Sequence, residues 1–176
     1  MSQENKNLDY PDQHHLRAAI GWLELGNPTE ANEELDQISP SLRSDPDVLE
    51  LRWAILASAK KWEACLETGN VLVQLAPDRP TAWKHRSVAL HFLKRTQEAY
   101  EQMSPAIDKF PQDWVIRYDF ACYCAQLGKL EEARAQLQKA SELGDAGKVK
   151  SMALEDPDLE PLWAEIRAPK KNLGQD

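Results

Sequence analysis

Leu16, Ala19, Ile20 and Leu23 recur three and four residues apart, the spacing of one face of an α-helix. This predicts a helix to about Leu25, with Asp9 or Asp12 able to cap it and Pro11 tolerated in its first turn. Gly26 stops it. Asn27-Pro28-Thr29-Glu30 restarts a helix as cap, first-position proline and an acid three residues after the cap. That second helix is expected to run to about Ile38, with Pro40 ending it. The same alternation of apolar helical stretch and breaker continues, predicting helices near 46–59, 62–75, 80–93, 96–109, 114–127 and 130–143. Asp45-Pro46 opens the third as cap and proline, Lys60-Lys61 fills a turn that has no glycine, and Thr96 is the expected cap of the sixth. Gly128 separates the last two and Gly144 ends the series. Two residues sit awkwardly. Gly69 lies inside a helix, where it costs up to about 1 kcal/mol relative to Ala; a close helix approach would explain it. Pro105 lies inside another, where a lost hydrogen bond and a clash predict a kink or an early break.

A longer period overlies the helical one. Trp83, Arg86-Ser87, Leu90, Ala99, Met103, Ala106 and Pro111 keep the spacing of the tetratricopeptide repeat (TPR) signature. That signature reads W-x2-L-G-x2-Y, then A-x3-F, then P, within a period of about 34 residues. Arg86 stands for the usual Leu and Ser87 for the usual Gly. With Pro80 as position 1, one period back gives Leu49, Leu56, Cys65 and Pro77 in the corresponding slots. Two periods back give Ala18-Ala19, Trp22, Gly26, Ala31, Leu35 and Ile38; one period forward gives Phe120-Ala121, Cys124, Gly128, Ala133, Leu137 and Ala140. Four units share one frame without insertion, and the chain resembles a TPR protein over roughly residues 12–147. Ala31, Cys65, Ala99 and Ala133 occupy one small-residue slot where helices approach closely.

The resemblance implies an all-α fold: a right-handed superhelical solenoid of four TPR helix-turn-helix repeats (12–45, 46–79, 80–113, 114–147) with a C-terminal capping segment. Residues 1–11 are expected to be a flexible N-terminus and 168–176 a disordered tail. Residues 148–167 do not complete a fifth repeat. Lys148 to Leu154 reads as a short helix, and Asp156-Pro157-Asp158 caps a second one carrying Leu159, Leu162, Trp163 and Ile166. A terminal repeat exposes an apolar face, and this segment is the expected cap over it. The run Ala153 to Trp163 is similar to an ending found on bacterial TPR proteins, which points to a bacterial source.

Charge and cysteine content narrow the function classes. The 176 residues fit one domain, with 42% apolar and 28% charged residues as in an ordinary soluble protein. The net charge is −8. Only the third repeat is positive, so no basic face is available for a phosphate backbone, and a nucleic-acid partner is not expected. No apolar run is long enough to span a bilayer, and the polar start is not a signal peptide. Three cysteines, Cys65, Cys122 and Cys124, do not make an even disulfide framework; reduced thiols in a cytoplasmic protein are expected.

No catalytic set emerges. His14-His15 are adjacent and point apart, His85 and His91 are six residues apart and share no helix face, and Cys122-Tyr123-Cys124 lacks zinc-motif spacing. A glycine-rich phosphate loop and a nucleophile elbow are absent. The expectation is therefore no enzyme, no cofactor and no metal.

In TPR proteins the concave positions of the first helix of each repeat bind partners. Carried onto this chain, they place Leu16, Ile20 and Leu23 in the first repeat, Glu50 in the second, Lys84, Val88, His91 and Phe92 in the third, and Tyr118 in the fourth. A carboxylate-clamp groove is excluded, because Leu16, Ile20 and Thr81 stand where that class carries Lys and Asn. The resemblance thus implies a non-catalytic adaptor that binds a peptide or helical segment of another protein in its concave groove. The alternative is a self-associating structural or scaffold protein, in the simplest case a homodimer.

Overall fold

The computed structural model describes residues 10–168. Every regular element in it is helical: α1 (Asp12–Glu24), α2 (Pro28–Gln37), α3 (Pro46–Ser58), α4 (Trp62–Leu75), α5 (Pro80–Phe92), α6 (Thr96–Lys109), α7 (Trp114–Gln126), α8 (Leu130–Leu143), α9 (Ala146–Glu155) and α10 (Trp163–Arg167), with 3₁₀ segments at Pro40–Leu42 and Pro157–Leu162. The odd-numbered helices α1, α3, α5 and α7 begin one repeat period apart, and so do α2, α4, α6 and α8. We call these the A-type and B-type helices. The expected flexible start and disordered tail fall mostly on residues 1–9 and 169–176, outside the described part.

Most helix boundaries have a local chemical cause. Asn27, Asp45, Asp113, Asp145 and Asp156 each accept a backbone N–H from the first turn of the helix that follows. The A-to-B turn repeats one left-handed residue, at Gly26 (φ +74°), Lys60 (φ 55°), Lys94 (φ 63°) and Gly128 (φ +74°). Behind Gly26, Lys60 and Gly128 the chain closes a Schellman pair of hydrogen bonds; Asn27 N–H, for example, donates to the Trp22 carbonyl at 2.9 Å. The lysines therefore hold a conformation that normally favours glycine.

Several local expectations are corrected. Asp12 does not cap α1; its carboxylate accepts from the Ser39 amide at 2.6 Å and the Ser39 hydroxyl at 3.0 Å, tying the start of α1 to the end of α2. Thr96 is the first residue of α6, and Arg95 holds the cap position. Pro105 does not end α6, which continues to Lys109. Pro105 is exposed, so the carbonyl its ring leaves unpaired faces water. Asp156 opens a 3₁₀ turn, and the final α-helix starts only at Trp163.

Two compact units divide between Leu93 and Lys94, inside the sequence's third repeat. In the first, Ala19, Ala31, Leu35, Ile38, Val48 and Ile55 form a closed core, and Leu49, Leu72 and Ala82 form another between α3, α4 and α5. Gly69 is explained there: a Cβ on it would lie 2.8 Å from Arg86 Cα and 2.9 Å from Arg86 N. In the second, α7 is enclosed by α6, α8 and the 157–162 turn, and every residue from Phe120 to Ala125 is buried. The slot of Ala31, Cys65, Ala99 and Ala133 is fully buried at all four positions.

Candidate binding surfaces

In the first unit the A-type helices α1, α3 and α5 lie in sequence, α3 touching both others. Ile20 is 41% exposed, while Leu16 and Leu23 beside it are half-buried and lean on the first core cluster. Helical spacing puts all three on one face of α1, and Ile20 is the part of that stripe left exposed. On α3, Glu50 does not point freely outward. It accepts the Thr81 hydroxyl at 2.6 Å and lies 3.5 Å from the Arg79 guanidinium, which also pairs with Asp47. These bonds hold the start of α5 against α3 and fix the carboxylate in place.

Further along, His85 of α5 stacks on Trp53 of α3 with ring centroids 4.1 Å apart and planes at 13°. Burial pushes the His85 imidazole down to about 4; nearby Glu50 opposes that shift and Lys84 adds to it. The ring is therefore neutral at pH 7 and serves as a flat packing surface. Lys84, Val88 and His91 are half-buried on the same helix. Phe92 at its end is 50% exposed, with one face stacked on Trp62 of α4 at 4.1 Å and 3°. An exposed ring that is already stacked is a rigid apolar anchor: little side-chain freedom is lost when a partner covers it.

Tyr118 is placed differently from the other expected groove residues. It lies in the second unit, is 5% exposed, and its hydroxyl donates to Asp156 at 3.0 Å. Cys122 one turn on reaches the same carboxylate at 3.5 Å, and Gln126 Nε2 donates to the Asp158 carbonyl at 3.1 Å. The α7 positions expected to line a groove are thus covered by the chain's own 156–158 segment. Burial, reinforced by Cys122 and Asp156, raises the Tyr118 hydroxyl above its usual range.

The structure also stacks Trp62 under the exposed Phe92 and packs His85 on the buried Trp53, and the sequence reading places none of the three among the site residues. Trp53 and Trp62 have a signal that could find them: aromatic residues on an A-type and a B-type helix near expected groove positions are candidate neighbours. His85 has none, because its role depends on Trp53, far back in the sequence on another helix. The three thiols are buried and unbridged. Burial pushes Cys65 up to about 11 and Cys124 up to about 12, and Cys122 well above its ordinary value, which leaves them weak nucleophiles and weak metal ligands at neutral pH. Among the described residues no cluster of His, Cys, Asp and Glu could hold a metal ion, and no helix is long and apolar enough to cross a membrane.

Comparison with known proteins assigns the class. No family model matches the chain, and no curated protein matches it. Solved structures do. A thermophilic TPR protein of Thermus thermophilus superposes with a TM-score of 0.72 at 20% identity, covering 89% of this chain and 83% of that one. MamA from Desulfovibrio magneticus RS-1 gives 0.69 at 18% identity, covering 91% and 93%. MamA of MSR-1 gives 0.64 at 20% identity over 78% and 79%. The protein has the TPR-type fold, in which paired helices recur at one fixed period.

Proposed function

We propose that the protein is a non-catalytic interaction module that binds a peptide or helical segment of another protein along the A-type helices of residues 10–93. The observation that carries this reading is the pair of exposed apolar anchors, Ile20 on α1 and the stacked Phe92 on α5. Leu16, Leu23, Val88 and His91 supply the half-buried apolar and aromatic margin, and Glu50 and Lys84 the polar one. Tyr118 is left out of the contact set because the 156–158 segment covers it. The TPR-type fold supports a scaffold role in general. The working units in this proposal are four repeats, 12–45, 46–79, 80–113 and 114–147, closed by 148–167. A bacterial, cytoplasmic setting belongs to the same proposal and suits three buried, unbridged thiols.

The test is a pull-down from the native lysate with wild type and an Ile20→Glu, Phe92→Glu double variant, after circular dichroism establishes that both fold. A protein retained by the wild type and lost by the variant supports the reading. Equal retention by both overturns it. A second reading, self-association, is favoured by Trp22 and Leu25, which are 37% and 77% exposed and lie close together at the end of α1. Sedimentation across concentration decides that: a monomer throughout removes it.

A further inference from the structure

In the first unit, one side of α3 and of α5 lies on the B-type helix that precedes it. Val48 and Ile55 of α3 share a core with Leu35 and Ile38 of α2, and Ala82 of α5 shares one with Leu72 of α4. Arg86 of α5 rests against Gly69 of α4. In the first repeat the same slots hold His14, Ala18 and Gly21 of α1, and among the described residues no helix precedes α1. Helix α1 packs on α2 and α3 through the side that carries Leu16, Ala19 and Leu23. On its other side His14, Trp22 and Leu25 are exposed, and Ala18 and Gly21 between them are only partly covered. Gly21, like Gly69, lies in a helix interior, where glycine weakens the helix. Gly69 is explained by a backbone atom 2.8 Å from where its Cβ would lie, but a Cβ on Gly21 would meet nothing within 4 Å. A close approach from outside the chain would give Gly21 the same explanation.

We propose that this face of α1 packs against the same face of a second copy of the chain, the two helices antiparallel about a two-fold axis close to Ile20. The proposal deepens the self-association reading above and rests on it. In such a pair Gly21 meets the partner's Ala18, so the two backbones approach closely, and Leu25 lies against the partner's His14. Charge selects both the occupant and its direction. Arg17 and Glu24 are exposed and lie about two turns apart along one edge of the stripe. Antiparallel two-fold packing brings like edges together, so Arg17 meets the partner's Glu24 and Glu24 meets the partner's Arg17. Parallel packing of the same faces brings opposite edges together, and neither pair then forms. The face is therefore complementary to itself in one orientation only. Ile20, the anchor of the first reading, lies about a third of a turn away around α1, so the two surfaces are separate. One helix pair covers less than a standard interface, which makes the dimer a weak one.

The test is sedimentation of the full chain from about 1 µM to about 1 mM, the range in which so small an interface associates. The wild type is expected to pass from monomer to dimer. Arg17→Glu sets acid against acid and Glu24→Arg sets base against base, so each variant alone should weaken the dimer about tenfold or more. An equal mixture of the two variants should dimerise, and so should the double swap that carries both changes in one chain. Gly21→Gln meets nothing in its own chain and should fold, while its side chain wedges the two helices apart with a similar loss. A double swap as weak as the single variants overturns the proposal, because the charges then do not pair across the axis. A dimer that none of these changes alters also overturns it and leaves self-association standing through another surface. A monomer throughout overturns both, and assigns the face to residues 1–9 or to a different protein.

Discussion

Gly69 shows how tightly single positions are set. Replacing it with Ala would gain about 1 kcal/mol of helix propensity. The new Cβ would press on Arg86 Cα and N, backbone atoms of α5 that no rotamer change can move aside. Overpacking of that kind costs about 1–3 kcal/mol, and the α4–α5 contact would have to open to relieve it. Gly69→Ala is therefore expected to lower stability by roughly 1 kcal/mol, read as a lower urea midpoint at unchanged slope. A raised midpoint would mean the two backbones do not meet as described. Lys60 and Lys94 show the opposite case. They hold the left-handed turn conformation that Gly26 and Gly128 hold at lower cost, so the turn geometry is imposed by the helices on either side.

At the scale of elements, the α3–α5 pair carries a pH dependence. His85 has an ordinary value of 6.5 and is pushed down to about 4 by burial against Trp53. Above pH 6.5 the ring is neutral folded or unfolded, and its stacking contributes fully. Between 6.5 and about 4 the unfolded chain takes up a proton that the folded one does not, so stability falls as pH falls. The loss is on the order of 2 kcal/mol once partial access to water is allowed for. Urea unfolding at about pH 7 and about pH 4.5 should show that loss in wild type and a smaller one in His85→Phe, which keeps a stacked ring without a titrating group. An equal loss in both would assign the dependence to other groups. The elements themselves were legible because their signals are local: Asn27-Pro28, Asp45-Pro46, Gly26 and Gly128 mark boundaries within a few residues of themselves. What was not legible depends on distant partners. Asp12 looked like a cap until Ser39, at the far end of the helix pair, supplied two hydrogen bonds. Pro105 looked like a break, but its exposed position lets water satisfy the freed carbonyl.

For the whole molecule, the repeat period was readable because each unit repeats the same burial demand, and chance does not preserve small residues at Ala31, Cys65, Ala99 and Ala133 together. The proposed binding surface was only half readable, since the period says which face of α7 should be free but not what else the chain lays over it. The 156–158 segment lies outside the repeat, and it covers Tyr118, Cys122 and Gln126. This yields a test of the capping segment. Deleting residues 145–176 removes both the burial and the Asp156 carboxylate that hold the Cys122 thiol far above its ordinary value of 9.0. Cys122 should then react with a thiol reagent within minutes near pH 8, about the ordinary range for an exposed cysteine. Cys65 in the first unit, and Cys124, raised mainly by burial within its own helix pair, should stay protected and serve as internal controls. Labelling of all three would mean the deletion has unfolded the chain, and Leu159→Glu in the full-length protein, which loosens the same segment, then replaces it. Protection of Cys122 in a folded variant lacking the segment would show that the segment does not cover α7.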